Sequence, residues 1–204
     1  GGLCGEIRRG PFMSTKPFPN LDRDEKETGS DQDGRGLSHL GALPYRDTKP
    51  VGAADFYFAI NATFRFLLRR FGWEGLRRYW TDLGTQYYAP VSAAWQQRGL
   101  PGIAAYWRAF FAAEPGAEVQ VQESDQAVVV TVSVCPAFKQ LRAHHREIVP
   151  CFCQQCYFLN ESIAAPAGFT VRVAGGNGSC RQTFLPRDAG TPPQDLSEIR
   201  EATC

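Results

Sequence analysis

Between residues 135 and 180 the chain gathers Cys135, His144, His145, Cys151, Cys153, Cys156 and Cys180, which is five of its seven cysteines and two of its three histidines. Two chemistries use these types at these spacings. In the first, Cys151-x-Cys153-x-x-Cys156 supplies thiolates to zinc or an iron–sulfur cluster, with a fourth ligand from His144, His145, Cys135 or Cys180. The spacing is imperfect for this. On a helix Cys153 and Cys156 share a face and Cys151 points elsewhere, and only one Cys-x-x-Cys arm is present. In the second, a cysteine is a nucleophile beside a histidine base. Cys135 ends a strand, Cys180 follows a glycine-rich turn, and His144 or His145 would serve as base. Backbone N–H groups near Gly178 would hold developing negative charge, and Arg181 would hold a substrate carboxylate.

Each motif also has a plain reading. His144 and His145, between Arg142 and Arg146, fit a charged surface helix, where neighbours point ~100° apart. Gly175 to Gly178 fits an ordinary hairpin turn. A free cysteine such as Cys151, beside Phe152, packs well as a small apolar residue. A non-catalytic small-ligand-binding domain with inert cysteines therefore stands as a third reading. No Walker loop, dinucleotide fingerprint, Gly-x-Ser-x-Gly or His-Glu-x-x-His occurs.

The elements that must position these residues are legible from periodicity. Phe56, Ile60, Phe64, Leu67 and Phe71 mark one helical face, closed at Gly72. Further helices are expected over 75–88, 90–98 and from Pro101 to Pro115-Gly116, with Trp80 and Trp107 as core residues. The period then changes to two. Residues 118–123 alternate, 127–134 are rich in β-branched side chains, and 169–174 and 179–185 read as a second pair of strands around Gly175-Gly176-Asn177-Gly178. Helices over 138–147 and 151–164 lie between the pairs. Helices grouped before strands give an α+β class, with a helical N-terminal half packed on a small antiparallel sheet that carries one or two further helices.

Length and composition bound the rest. The 204 residues are 43% hydrophobic and 21% charged with a net charge of +1, which suits one globular domain over 51–186. Residues 1–50 are polar and charged, as a flexible arm would be, and 187–204 read as a flexible tail. Met13 is the only methionine and would be the natural start, which would drop Cys4 from the chemistry. The balanced charge gives no argument for nucleic acid, no apolar run spans a membrane, and the N-terminal residues lack the apolar core of a signal peptide. A soluble, cytoplasmic protein with reduced thiols and a small-molecule substrate is the expectation.

Val134-Cys135-Pro136, His144, Cys151-Phe152-Cys153-Gln154-Gln155-Cys156 and Gly175-Gly176-Asn177-Gly178-Ser179-Cys180-Arg181-Gln182-Thr183-Phe184 together resemble the L-2-amino-thiazoline-4-carboxylic acid hydrolase-like family, over about residues 52–186. The resemblance implies hydrolysis of a C–N or C–S bond in a cyclic amidine or thiazoline-like substrate, the family's named substrate opening to N-carbamoyl-L-cysteine. The extra cysteines around Cys151 depart from the pattern and keep a metal open.

Overall fold

Glycine sets the joints of the helical half. The computed structural model describes residues 53–188, 190 and 192–203. The expected arm over 1–50, with Met13 and Cys4, lies outside them. Helix α1, Phe56–Asp82, consists of two helical arms that meet at a break at Gly72, where the first expected helix ends, with φ 69° and ψ −173°. Only glycine reaches that conformation cheaply. A π-helical turn, Leu83–Tyr87, follows. Helix α2, Ala89–Ala113, kinks in the same way at Gly99, with φ 65°, and Pro101 then opens its second arm. The four expected helices are thus two bent ones.

The aromatics of the expected core face are not all buried. Phe64 and Trp80 are core residues, whereas Phe56 and Phe71 are 67% and 55% exposed. Phe71 immediately precedes the kink and meets Phe66 edge-on at the surface. Buried Asn61 secures the chain at residues 147–149. Its Nδ2 donates to the Glu147 carbonyl at 2.8 Å, and its Oδ1 accepts the Val149 N–H at 3.1 Å, so neither polar end is left unpaired.

Strands β1, Glu118–Glu123, and β2, Val128–Val134, form the first hairpin. Helix α3, Pro136–Ala143, leaves the end of β2, shorter than the periodicity implied. A 3₁₀ turn, Pro150–Cys153, leads into α4, Gln154–Ala164. Strands β3, Phe169–Gly176, and β4, Ser179–Pro186, form the second hairpin. The fold is α+β, with a five-stranded sheet ordered β1-β2-β4-β3-β5.

The segment after Pro186 differs from the loose tail expected of it. Strand β5, Ile199–Arg200, pairs in parallel with Gly175 and Gly176 of β3, so the sheet is mixed rather than purely antiparallel. Gln194 accepts the Val173 N–H at 2.9 Å, and the Ala202 N–H donates to the Pro150 carbonyl at 2.8 Å. The docking requires Gly176. A Cβ there would sit 2.4 Å from the Arg200 carbonyl oxygen.

Two apolar clusters result. The larger packs sheet residues Val130, Val171 and Phe184 against Trp95, Ile103 and Trp107 of α2 and Ile163 of α4. The second packs Phe64, Leu76 and Trp80 of α1 against Phe138 and Leu141 of α3 and Phe152. No helix among the described residues is long and apolar enough to cross a membrane.

Gly84, in the π-helical turn, lets α4 approach closely. A Cβ there would lie 2.6 Å from Ser162 Cβ and 2.7 Å from the Leu159 carbonyl oxygen. Because one of the two atoms is backbone, the clash cannot be relieved by a rotamer change. Gly84→Ala is expected to lose roughly 1–3 kcal/mol of stability, as other overpacked sites do. Urea unfolding measures it, and an unchanged midpoint would mean that α4 is free to shift.

Candidate functional site

Four of the cysteines come from three different places in the fold and lie near one another. Cys135 is the N-cap of α3, Cys153 is the N-cap of α4, Cys156 lies in the first turn of α4, and Cys180 is on β4. Cys135 and Cys153 each pack against both apolar clusters, so the group lies at their junction. The thiols are within electrostatic reach of one another. Charge on Cys180, Cys153 or Cys135 would raise Cys156, and charge on Cys135 or Cys153 would raise Cys180.

The Asn177-Gly178 turn organises this junction. Asn177 at φ 58° and Gly178 at φ 105° have the paired positive φ of a type I′ hairpin turn, for which Asn-Gly is the preferred sequence. The turn also faces the thiols. The Asn177 N–H donates to Cys153 Sγ at 3.3 Å, and the Cys135 N–H donates to the Gly178 carbonyl at 2.8 Å. Arg142 donates to Asn177 Oδ1 at 2.6 Å. The Thr203 N–H donates to the same oxygen at 3.0 Å, which ties the C-terminal segment to the turn. Gly178 therefore takes part in the group, and the glycine-rich stretch is both a hairpin turn and a scaffold for the site.

Burial governs the thiols. It is the largest influence on Cys135, Cys153, Cys156 and Cys180, and it pushes each above the ordinary thiol value, Cys180 to about 12. Local groups oppose it unevenly. The Cys135 sulfur at the start of α3 is favoured by the backbone N–H groups of Phe138 and Ala137, then by Arg142. Cys153 is favoured by the N–H groups of Asn177 and Gly178, and by Arg142. Helix N-termini stabilise a thiolate in this way.

Two residues without a sequence signal complete the group. Tyr57, near the start of α1, donates a hydrogen bond to Glu114 at the C-terminus of α2. Burial, and then that bond, raise the tyrosine far above its usual range, and charge on Cys135 or Cys156 would raise it further. Glu114 also acts on Cys135. Glu114 looks in sequence like a residue of the stop before Pro115-Gly116, and Tyr57 looks like one more aromatic of a helix. Arg142 was legible only as a neighbour of the histidines.

The remaining candidates fall elsewhere. His144 is the C-cap of α3, at the far end from Cys135, which at ~1.5 Å per residue places it over 10 Å away. It is exposed, contacts the Phe58 ring edge-on, and its Nδ1 lies 3.0 Å from the Gln140 carbonyl. His145, with φ 51°, lines an open cleft of about 770 Å³ with Arg65, Arg69, Arg70 and Arg146. Neither is brought to the thiols as a base, because helix α3 separates them. Arg181 is exposed, while its neighbours Cys180 and Gln182 point inward. Strand alternation thus puts Arg181 on the opposite face of the sheet from Cys180.

Cys151 also stands apart. Burial raises it to about 11, and its charged neighbour is Glu201 rather than another cysteine. The 3₁₀ turn directs it into the α1–α3 cluster. Cys151, Cys153 and Cys156 therefore do not converge as a ligand set for zinc or an iron–sulfur cluster. Among the described residues, no three His, Cys, Asp or Glu side chains are arranged to hold a metal ion. Comparison of the chain with protein families, curated proteins and solved structures found no match.

The raised thiols make stability depend on pH. An unfolded thiol loses its proton near pH 8.5, whereas folded Cys180 keeps it to about 12, so over that window the unfolded state binds fewer protons. Stability is then complete below the unfolded value and falls as pH rises towards the folded one. The melting temperature is expected to drop from roughly pH 9 upward, and to drop less steeply in Cys180→Val. Parallel slopes for the two proteins would show that Cys180 is not protected.

Proposed function

We propose that the protein is a small-molecule hydrolase that opens a C–N or C–S bond of a cyclic amidine or thiazoline-like substrate, with Cys135 as nucleophile. The observation that carries this reading is the position of Cys135 at the N-terminus of α3, beside the Glu114–Tyr57 pair. A nucleophilic thiol needs a base within reach, a preformed set of N–H donors, and exclusion of bulk water. The buried junction supplies these without His144 or His145.

In this reading the resting thiol is protonated, because burial holds it so. Glu114 accepts its proton as the sulfur bonds to the electrophilic ring carbon. The N–H groups of Ala137 and Phe138 hold the sulfur as charge develops on it. The ring bond breaks, and the departing nitrogen or sulfur takes the proton from Glu114, with Tyr57 holding the carboxyl group in place. Water, deprotonated by the same carboxylate, then displaces the enzyme sulfur and restores the thiol. Arg142, anchored on Asn177, places positive charge where a substrate carboxylate would bind, the role expected of Arg181. The resemblance of the Cys135 and Gly175–Phe184 motifs to the thiazoline-carboxylate hydrolase-like family supports the substrate class.

The test is turnover of 2-amino-thiazoline-4-carboxylate and related cyclic amidines by purified protein. Cys135→Ala is expected to abolish it. Glu114→Gln is expected to lower kcat by about 10²–10⁴-fold, the usual loss for a general acid–base group, whereas His144→Ala should retain the native rate. Full turnover by Cys135→Ala would overturn the nucleophile, and loss of turnover in His144→Ala would restore the histidine as base.

A further inference from the structure

Cys153 and Cys156 are not used in the reaction above, yet they hold the most constrained pair of sulfurs in the group. They are separated by one helical turn at the very start of α4, with Cys153 as the N-cap. Residues three apart on a helix have Cβ atoms ~5–6 Å apart, and a disulfide needs ~3.8 Å. The first turn of α4 is α-helical from Gln154, so forming the bond requires that turn, which lies at a helix end where fraying is easiest, to tighten towards 3₁₀ geometry. The chain enters α4 from a 3₁₀ turn, Pro150–Cys153. Cys151 stands outside the group, with Glu201 and no cysteine as its charged neighbour.

We propose that Cys153 and Cys156 form a dithiol–disulfide couple that reduces small organic disulfides. Its roles are set by environment. Cys153 accepts the Asn177 N–H at 3.3 Å and lies near Arg142, so it is the sulfur whose anion is stabilised. Cys156 has no such donor from the turn and is held protonated by burial and by the neighbouring thiols. Between them in sequence, the side-chain oxygens of Gln154 and Gln155 are buried with no hydrogen-bond partner among the described residues, which is unusual for native interiors.

The chemistry closes without a metal. The Cys153 thiolate attacks one sulfur of a small disulfide, forming a mixed disulfide and releasing one thiolate, which takes the proton that Cys153 lost. Cys156 then gives up its proton and attacks Cys153 Sγ. The Cys153–Cys156 bond forms, the mixed bond breaks, and a second thiol leaves. The substrate gains two electrons and two protons, and the protein loses the same.

The experiment treats the fully reduced native chain with bis(2-hydroxyethyl) disulfide, quenches with iodoacetamide, and maps the peptides. Loss of two alkylatable thiols together with a Cys153–Cys156 linkage is expected. Cys156→Ser should trap the probe on Cys153, and Cys153→Ser should abolish the exchange. Cys135→Ala should leave the exchange rate within about twofold, because displacement at sulfur needs only the attacking pair, so failure of the hydrolase reading leaves this one standing. A linkage of Cys153 to Cys135, Cys151 or Cys180 would overturn the couple, as would first attachment of the probe at another cysteine. Native chain that keeps all its thiols under the probe would overturn it as well.

Discussion

The Asn177-Gly178 turn is the constraint on which the site depends. Its positive φ angles close the β3–β4 hairpin, and its backbone and side-chain groups reach outward. One N–H goes to Cys153 at the start of α4, one carbonyl to Cys135 at the start of α3, and the Asn177 side chain to Arg142 and Thr203. Two helix N-termini and the C-terminal segment are thereby fixed against one hairpin. A two-residue turn can do this because nearly all its polar groups are committed, so the elements it touches cannot shift independently.

The second controlling feature is the position of the thiols between two apolar clusters. A sulfur in that setting is desolvated, and desolvation outweighs the N–H groups and Arg142 that favour its anion. The resting group is therefore a set of protonated thiols rather than a ready thiolate. The environment makes them differ from one another. Cys135 has helix N–H donors and a carboxylate, Cys153 has the turn, Cys180 has Gln182, whose Nε2 lies 3.9 Å from its sulfur, and Cys156 has mainly its neighbours. Such asymmetry lets similar side chains take different roles.

Much of the fold was legible in the chain. The helical spacing of Phe64 and Leu67, the alternation in Glu118–Glu123, the β-branched run Val128–Val134 and the Asn-Gly turn are local signals, and each produced the expected element. Local signals also misled where packing decides. Phe56 and Phe71 fit a core face but are exposed, because they stand at the two ends of the arm whose middle, at Phe64, is packed. Residues 192–203 carry no periodicity, yet they dock through Gln194, Ile199 and Thr203, whose partners lie on distant elements and leave no trace in local composition.

Sequence alone determined which residue types were available and which elements carry them: the concentration of cysteines from 135 to 180, their places at strand ends and helix starts, and the α+β class. Local propensity and hydrophobic period act over a few residues, and those features are written at that range. Only the tertiary structure decided the grouping. It joined Cys135, Cys153, Cys156 and Cys180, added Tyr57 and Glu114 from the first two helices, and left Cys151, His144, His145 and Arg181 outside. Which side chains meet depends on strand pairing, on which face of α3 and β4 points inward, and on glycines that permit close approach. These are long-range consequences of burying two apolar clusters against one sheet.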